Sequence, residues 1–191
     1  MVKKKDSYFE LMMSGTGGQG IVLAGSLLAE AAYVAYEHAV YCPNYGAARR
    51  GGETECTVIF SNTEVFSPIK LQPMAAVVMS KMGCNQLSKR VHPEGVLLVD
   101  SSVVPDKIDR QDISVYYLPA TKVADENGSA VMASLLMVGA YIQLTEALSL
   151  EGLYESLEKR LRGTRAEKLL SLNKKVMAEG AKIMKSMQCG S

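Results

Sequence analysis

A chain of 191 residues is about one domain long, domains usually running to roughly 100 to 200 residues, so a single domain over 1–191 is expected. Lys plus Arg number 21 against 20 Asp plus Glu, and a formal charge of +1 provides no field to gather polyanions, which argues against nucleic acid. Hydrophobic residues make up 48% and charged ones 21%, and no apolar run approaches the roughly 18 to 20 residues of a membrane span, so a soluble protein with no membrane partner is expected.

The first ten residues carry a basic cluster, but Asp6, Ser7 and Glu10 interrupt any apolar signal core, which points to a cytoplasmic protein. Tyr8 to Met13 reads as a first strand running into glycines. Ile21 to Tyr36 is rich in Ala and Leu, lacks proline and is too long for a typical strand, so it reads as a helix. His38 to Cys42 is a short strand stopped by Pro43, and Asn44 to Gly52 follows as a loop. Glu53 to Phe60 alternates as a half-buried strand, with Cys56, Val58 and Phe60 on one face and a solvated Glu-rich start.

Ala75 to Ser80 and Val96 to Val99 are short apolar runs of strand length, and a helix over Cys84 to Val91 between them gives βαβ spacing. Ser114 to Leu118 is a further strand ending at Pro119. Ala130 to Ala147 is a long apolar helix that the polar stretch Asp125 to Gly128 can cap. From Arg165 to Met187, Leu169, Val176 and Ile183 recur at intervals of seven beside Leu170, Met177 and Met184, which marks an amphipathic helix whose methionines fill a core or a subunit contact. The whole reads as a three-layer, Rossmann-like α/β domain: a mostly parallel sheet with helices on both faces and a C-terminal amphipathic helix.

The four cysteines, Cys42, Cys56, Cys84 and Cys189, form no C-x-x-C pair and fit neither a disulfide framework, a zinc knuckle nor an iron–sulfur ligand run. Reduced thiols are expected, with any cluster on another chain. His38 and His92 sit in no metal spacing and beside no nucleophile motif, and no catalytic residue or metal ligand is assigned. Asp100 ends a predicted strand, where either binding or a turn with Ser101 and Ser102 is open to it.

The strongest local signal is Gly15-Thr16-Gly17-Gly18-Gln19-Gly20 between a predicted strand and a predicted helix. One reading is a tight turn. The other is ligand or partner contact: Gly15 makes the turn, Gly17 admits a phosphate to bare backbone, Gly20 lets the helix pack closely on the strand, and Gly18 and Gln19 exceed what a turn requires. A dinucleotide site would also need a carboxylate at the end of the second strand, where the chain reads Pro43-Asn44-Tyr45. The second feature is the loop from Asn44, Tyr45 and Gly46 to Arg49, Arg50, Gly51 and Gly52. Its arginines are fork-shaped donors suited to carboxylate or phosphate, and following the second strand it should lie at the same sheet edge as the glycine loop.

Gly15–Gly20, Ala24 and Leu28–Ala32 along the helix, Tyr45-Gly46 with Arg50-Gly51-Gly52, Ser67-Pro68 and Leu136–Ala140 together resemble the gamma subunit of 2-oxoacid:ferredoxin oxidoreductases, the pyruvate, 2-oxoglutarate and ketoisovalerate family. The resemblance covers about three quarters of the chain, with Ala48, Met74 and Ser134 standing where the family usually has Glu, Asp and Asn. It implies an oxidoreductase subunit that is inactive alone and binds no cofactor by itself. It further implies assembly with alpha and beta subunits that bind thiamine diphosphate and Mg, and with a ferredoxin-like delta subunit carrying iron–sulfur clusters, ferredoxin being the acceptor. The complex would make acyl-coenzyme A from a 2-oxoacid. On this resemblance Gly15, Gly17, Gly18, Gln19, Gly20, Asn44, Tyr45, Gly46, Arg50, Gly51 and Gly52 line the coenzyme A side or a partner interface, with Arg50 on an anion. A stand-alone nucleotide-dependent oxidoreductase and a structural or regulatory subunit without a ligand are the alternatives; self-association of the isolated chain is left open.

Overall fold

The structure, a computed structural model, describes residues 7–45 and 52–189. Its centre is a six-stranded sheet in the order β2-β3-β1-β4-β5-β6, formed by β1 (Tyr8–Thr16), β2 (His38–Tyr45), β3 (Glu53–Ser61), β4 (Ala75–Val78), β5 (Val96–Asp100) and β6 (Ser114–Leu118). β1, β4, β5 and β6 pair in parallel, while β3 runs antiparallel between β1 and β2. The mostly parallel sheet expected from the sequence is therefore present, with one reversed strand. The first two strands in sequence are separated in the sheet by the third.

The helices are α1 (Ile21–Ala35), α2 (Lys81–Leu87), α3 (Ala120–Glu126), α4 (Ala133–Thr145), α5 (Leu150–Leu161) and α6 (Leu170–Cys189). They cover the sheet unequally. Alternation along β1 sends Leu11 and Met13 into one core with residues of α1, α3, α4, α5 and α6, and Met12 into a second core with Val78, Cys84, Leu97, Val99 and Val104 beside α2. Met177 and Met184 of α6 are fully buried in the first core, so the methionines of the tail fill the interior.

Several boundaries differ from expectation. β2 continues through Pro43 to Tyr45, because β2 is the sheet's edge strand and a missing N–H is tolerated there. Asn44 and Tyr45 thus belong to a strand, and Gly46, Ala47, Ala48, Arg49, Arg50 and Gly51 lie outside the described residues. α2 starts earlier than Cys84 because Ser80 caps it, its Oγ accepting from Gly83 N–H at 2.9 Å. Asp125 and Glu126 do not cap the long apolar helix; they end α3, and α4 begins through a 3₁₀ turn over Ala130–Met132 with no side-chain cap.

β3 is buried on both faces from Cys56 to Ser61 rather than on one. The segment 62–74 is held down beside it by Glu10, which is 6% exposed. Glu10 accepts from Met74 N–H at 2.8 Å and from the Tyr8 hydroxyl at 3.0 Å, and pairs with Lys70 at 3.1 Å. Among the described residues no helix is long and apolar enough to cross a membrane.

Candidate functional site at the carboxyl edge of the sheet

The glycine loop joins β1 to α1. Its turn closes with Gln19 N–H on Thr16 O at 3.1 Å, and Gly20 caps the helix in the left-handed region at φ 78°, its carbonyl accepting from Ala24 N–H at 2.9 Å. Only glycine suits that position: besides the positive φ, a Cβ would stand 2.8 Å from Ser134 Oγ and 3.1 Å from Val131 O. Gly20 thus packs against the start of α4, not against a strand as the sequence suggested. Gly15 lies within β1 and leaves room for the Gln19 amide, since a Cβ there would meet Gln19 Oε1 at 2.6 Å.

Gln19 is engaged internally. Its Oε1 accepts from Thr16 N–H at 2.7 Å and its Nε2 donates to Met79 O at 2.8 Å, so the amide braces the ends of β1 and β4. α1 has no side-chain cap and no acidic residue in its first turn, which leaves its N–H groups and positive dipole end available to an anion. The first turn itself is fixed from behind. Tyr41 Oη donates to Val22 O at 2.9 Å, Cys56 Sγ to Ile21 O at 3.6 Å, and Arg160 of α5 to Leu23 O at 3.3 Å and Ser26 Oγ at 2.8 Å. Burial above all pushes the Cys56 thiol up to about 12 and raises the Tyr41 phenol, keeping both neutral donors.

Gly17 N–H donates to Gly52 O at 2.9 Å, which joins the glycine loop to the residue just before β3. Beside that junction lies a cleft of about 550 Å³ lined by Thr16, Gly17, Gly18, Gly20, Ser26, Tyr45 and Thr54 among others. Tyr45, 65% exposed, is its aromatic wall. Asn44 is not part of it. Alternation along β2 puts Asn44 on the other face, in a cleft of about 360 Å³ with Cys42, Glu55, Lys70 and Arg90. The placement of Gly46, Arg50 and Gly51 lies outside the described residues.

Two carboxylates at this edge have definite roles. Glu53, expected to be solvated, is half-buried, and its Oε1 accepts from Ser14 Oγ at 2.7 Å and Ser80 Oγ at 2.5 Å. Sequence reasoning missed it because its donors are 39 and 27 residues away. Asp100, fully buried, accepts from Thr121 N–H and Oγ1 and from Ser102 N–H, so it starts α3 and closes a turn. Ser134 Oγ is buried without a hydrogen-bond partner beside Gly20, at a position where an Asn side chain would reach further. His38 and His92 are both exposed.

The topology bears on the dinucleotide reading. The strand beside β1 on the side of the glycine loop's partner is the antiparallel β3, not β2, and Glu53 on it turns toward the α2 face. A parallel second strand presenting a carboxylate next to the glycine loop, which dinucleotide binding requires, is not formed. The thiols do not fit an iron–sulfur cluster either: Cys56 and Cys84 lie in cores on opposite faces, and among the described residues no three His, Cys, Asp or Glu side chains gather for a metal.

Residues 10–183 match the family model described as pyruvate ferredoxin/flavodoxin oxidoreductase. This chain belongs to that family. It is 33% identical over 170 residues to the 2-oxoglutarate synthase subunit KorC of Methanocaldococcus jannaschii, covering 86% of this chain and 90% of that one. It is 30% identical over 172 residues to the ketoisovalerate oxidoreductase subunit VorA of Methanothermobacter marburgensis, covering 88% of this chain and 35% of the relative. Among solved structures, the gamma subunit of a keto/oxoacid ferredoxin oxidoreductase from Geobacter sulfurreducens matches with a TM-score of 0.78 and 29% identity over 93% of this chain and 99% of that one. The 2-oxoglutarate:ferredoxin oxidoreductase of Magnetococcus marinus contains the same fold within a longer chain, at a TM-score of 0.84 and 21% identity, with 94% of this chain against 31% of that one. The likeness to gamma subunits noted in the sequence thus extends across the fold.

Proposed function

We propose that this chain is the gamma subunit of a thiamine-diphosphate-dependent 2-oxoacid:ferredoxin oxidoreductase, and that its carboxyl edge faces the coenzyme A side of the assembled active site. Thiamine diphosphate, when bound on partner subunits, supplies the carbanion chemistry. This chain supplies position and charge. The uncapped N-terminus of α1 and the bare backbone of Gly18 are suited to a polyanionic ligand, and Tyr45 to an apolar or aromatic portion of it. Arg50 adds a guanidinium able to grip phosphate or carboxylate through two donors. The alpha, beta and ferredoxin-like delta subunits are the partners.

The observation that carries this reading is the Gly17–Gly52 hydrogen bond, which brings Gly52, two positions after Arg50 in sequence, to the glycine loop in a chain of this family. The test is Arg50→Gln in the reconstituted complex. Activity should fall by the equivalent of about 1.5 to 3 kcal/mol, a charge-assisted hydrogen bond, while Arg49→Gln is tolerated. Wild-type coenzyme A dependence in an assembled Arg50→Gln complex, or greater damage from Arg49→Gln, would defeat the assignment.

A further inference from the structure

The segment 62–74 connects β3 to β4 across the face of the sheet opposite α1. The sheet and α2 side of the molecule hold it from beneath. Glu10 accepts from Met74 N–H and pairs with Lys70, whose Nζ also lies 4.9 Å from the centre of the Tyr8 ring. Arg90 donates to two successive carbonyls, Lys70 O at 2.8 Å and Leu71 O at 3.2 Å, and Ser67 Oγ accepts from Ile69 N–H at 3.1 Å. Glu64 and Lys70 are the only charged residues of the segment, and Lys70 is neutralised by Glu10. What faces outward is apolar: Phe66 is 89% exposed, Leu71 77% and Ile69 74%, and Met74 is exposed as well. The hydrogen bonds and the ion pair hold the segment without these side chains, so a polar residue would serve at each position in a chain that worked alone.

We infer that the segment 62–74 is the surface by which this chain docks on another subunit of the oxidoreductase, and that the partner meets it with an apolar, uncharged surface. This rests on the reading above that the chain is one subunit of a complex. The four side chains present roughly 400 to 500 Å² of apolar surface, the core of one side of a standard interface, which buries about 800 Å² per partner. A charge brought against Phe66, Ile69 and Leu71 would lose its water with no counter-charge among them, which is why the partner surface must be neutral. Two copies of this chain paired through these side chains would bury roughly 800 to 1,000 Å², short of the about 1,200 Å² at which stable interfaces begin, so the occupant is not a second copy. The relatives agree with a different chain. The matched part is 35% of the ketoisovalerate oxidoreductase subunit VorA, where it is joined covalently to the remainder. Such a join raises the effective concentration of the joined parts, whereas a separate chain has only its surface to hold a partner.

The experiment titrates the chain into its partner subunits, freed of it, and reads coenzyme-A-dependent ferredoxin reduction. For Phe66→Asp the concentration of chain giving half-maximal activity should rise at least about thirtyfold, the loss of a central apolar anchor, while the plateau keeps its wild-type value. Phe66→Ala should shift it about tenfold and serves if Phe66→Asp does not fold. Folding is checked by a thermal midpoint of the isolated variant within about 3 °C of wild type. Tyr33→Asp, at an exposed residue of α1 on the other face of the sheet, should leave the titration unchanged. The isolated wild-type chain should sediment as a monomer at micromolar concentration. An unchanged titration with both Phe66 variants, an equal shift with Tyr33→Asp, or a lowered plateau at the wild-type midpoint overturns the docking surface and leaves the gamma-subunit reading standing. A micromolar dimer that Phe66→Asp dissociates assigns the surface to a second copy and overturns the inference. If the wild-type chain restores no activity at any concentration, the gamma-subunit reading falls and the inference falls with it.

Discussion

Replacing Gly180 by alanine should damage the fold at one point of contact. α4 and α6 cross where Gly139 and Gly180 face each other's backbone: a Cβ at Gly180 would lie 2.0 Å from Leu136 O, and one at Gly139 would lie 2.0 Å from Met177 O. Reaching even 3.0 Å requires the helices to part by about 1 Å. The separation would open packing along α4, which is buried at every position from Ala133 to Ile142. Overpacking costs about 1 to 3 kcal/mol, and since the obstacle is main chain that cannot rotate away, the upper end applies. Alanine recovers about 1 kcal/mol of helix propensity, leaving a net loss near 2 kcal/mol and a midpoint lowered by about 4 to 8 °C at this chain length. Gly139→Ala should match it. The double variant should lose less than the sum, because one displacement relieves both contacts. Thermal unfolding of the purified proteins followed by far-ultraviolet circular dichroism measures all three. A neutral or stabilised Gly180→Ala, the result helix propensity alone dictates, would refute the close crossing.

Two further outcomes are expected. NAD and NADP should show no micromolar binding by titration calorimetry, because the antiparallel β3 occupies the place where a dinucleotide fold presents its ribose carboxylate; micromolar binding of either would revive the stand-alone oxidoreductase. In the folded chain Cys56, its thiol pushed up to about 12 chiefly by burial, should resist iodoacetamide to about pH 9 while exposed Cys189 is alkylated, and prompt labelling of Cys56 at neutral pH would contradict the packing of Gly25 and Tyr41 against it.

What the sequence disclosed was local. Alternation and composition located all six strands, α1 and the tail helix, because each carries its pattern within its own residues. α5 was overlooked although Ser149 and the apolar Leu150, Leu153, Leu157 and Leu161 offered a cap and a stripe; its charged outer face masked them. α3 has no such signal. It is a seven-residue helix started by the Asp100 carboxylate, 21 residues before Thr121. The insertion of β3 between β1 and β2 depends on pairings that join distant residues, which no local pattern reveals. At the candidate site, the approach of Gly52 to the glycine loop is a contact across the sheet between β1 and β3. The use of Gln19 as an internal brace, the separation of Asn44 from Tyr45 and the hydrogen bonds of Glu53 could not be anticipated, for each is set by a partner across the sheet.

Whether this chain completes a 2-oxoacid:ferredoxin oxidoreductase can be measured directly. The proteins that copurify with the untagged chain from its native cell should be assayed for 2-oxoacid- and coenzyme-A-dependent ferredoxin reduction, with and without the chain. The expected result is no turnover by the pure chain, loss of coenzyme-A-dependent activity when it is stripped from its partners, and recovery when it is added back. Turnover by the pure chain, or full activity in its absence, would contradict the account.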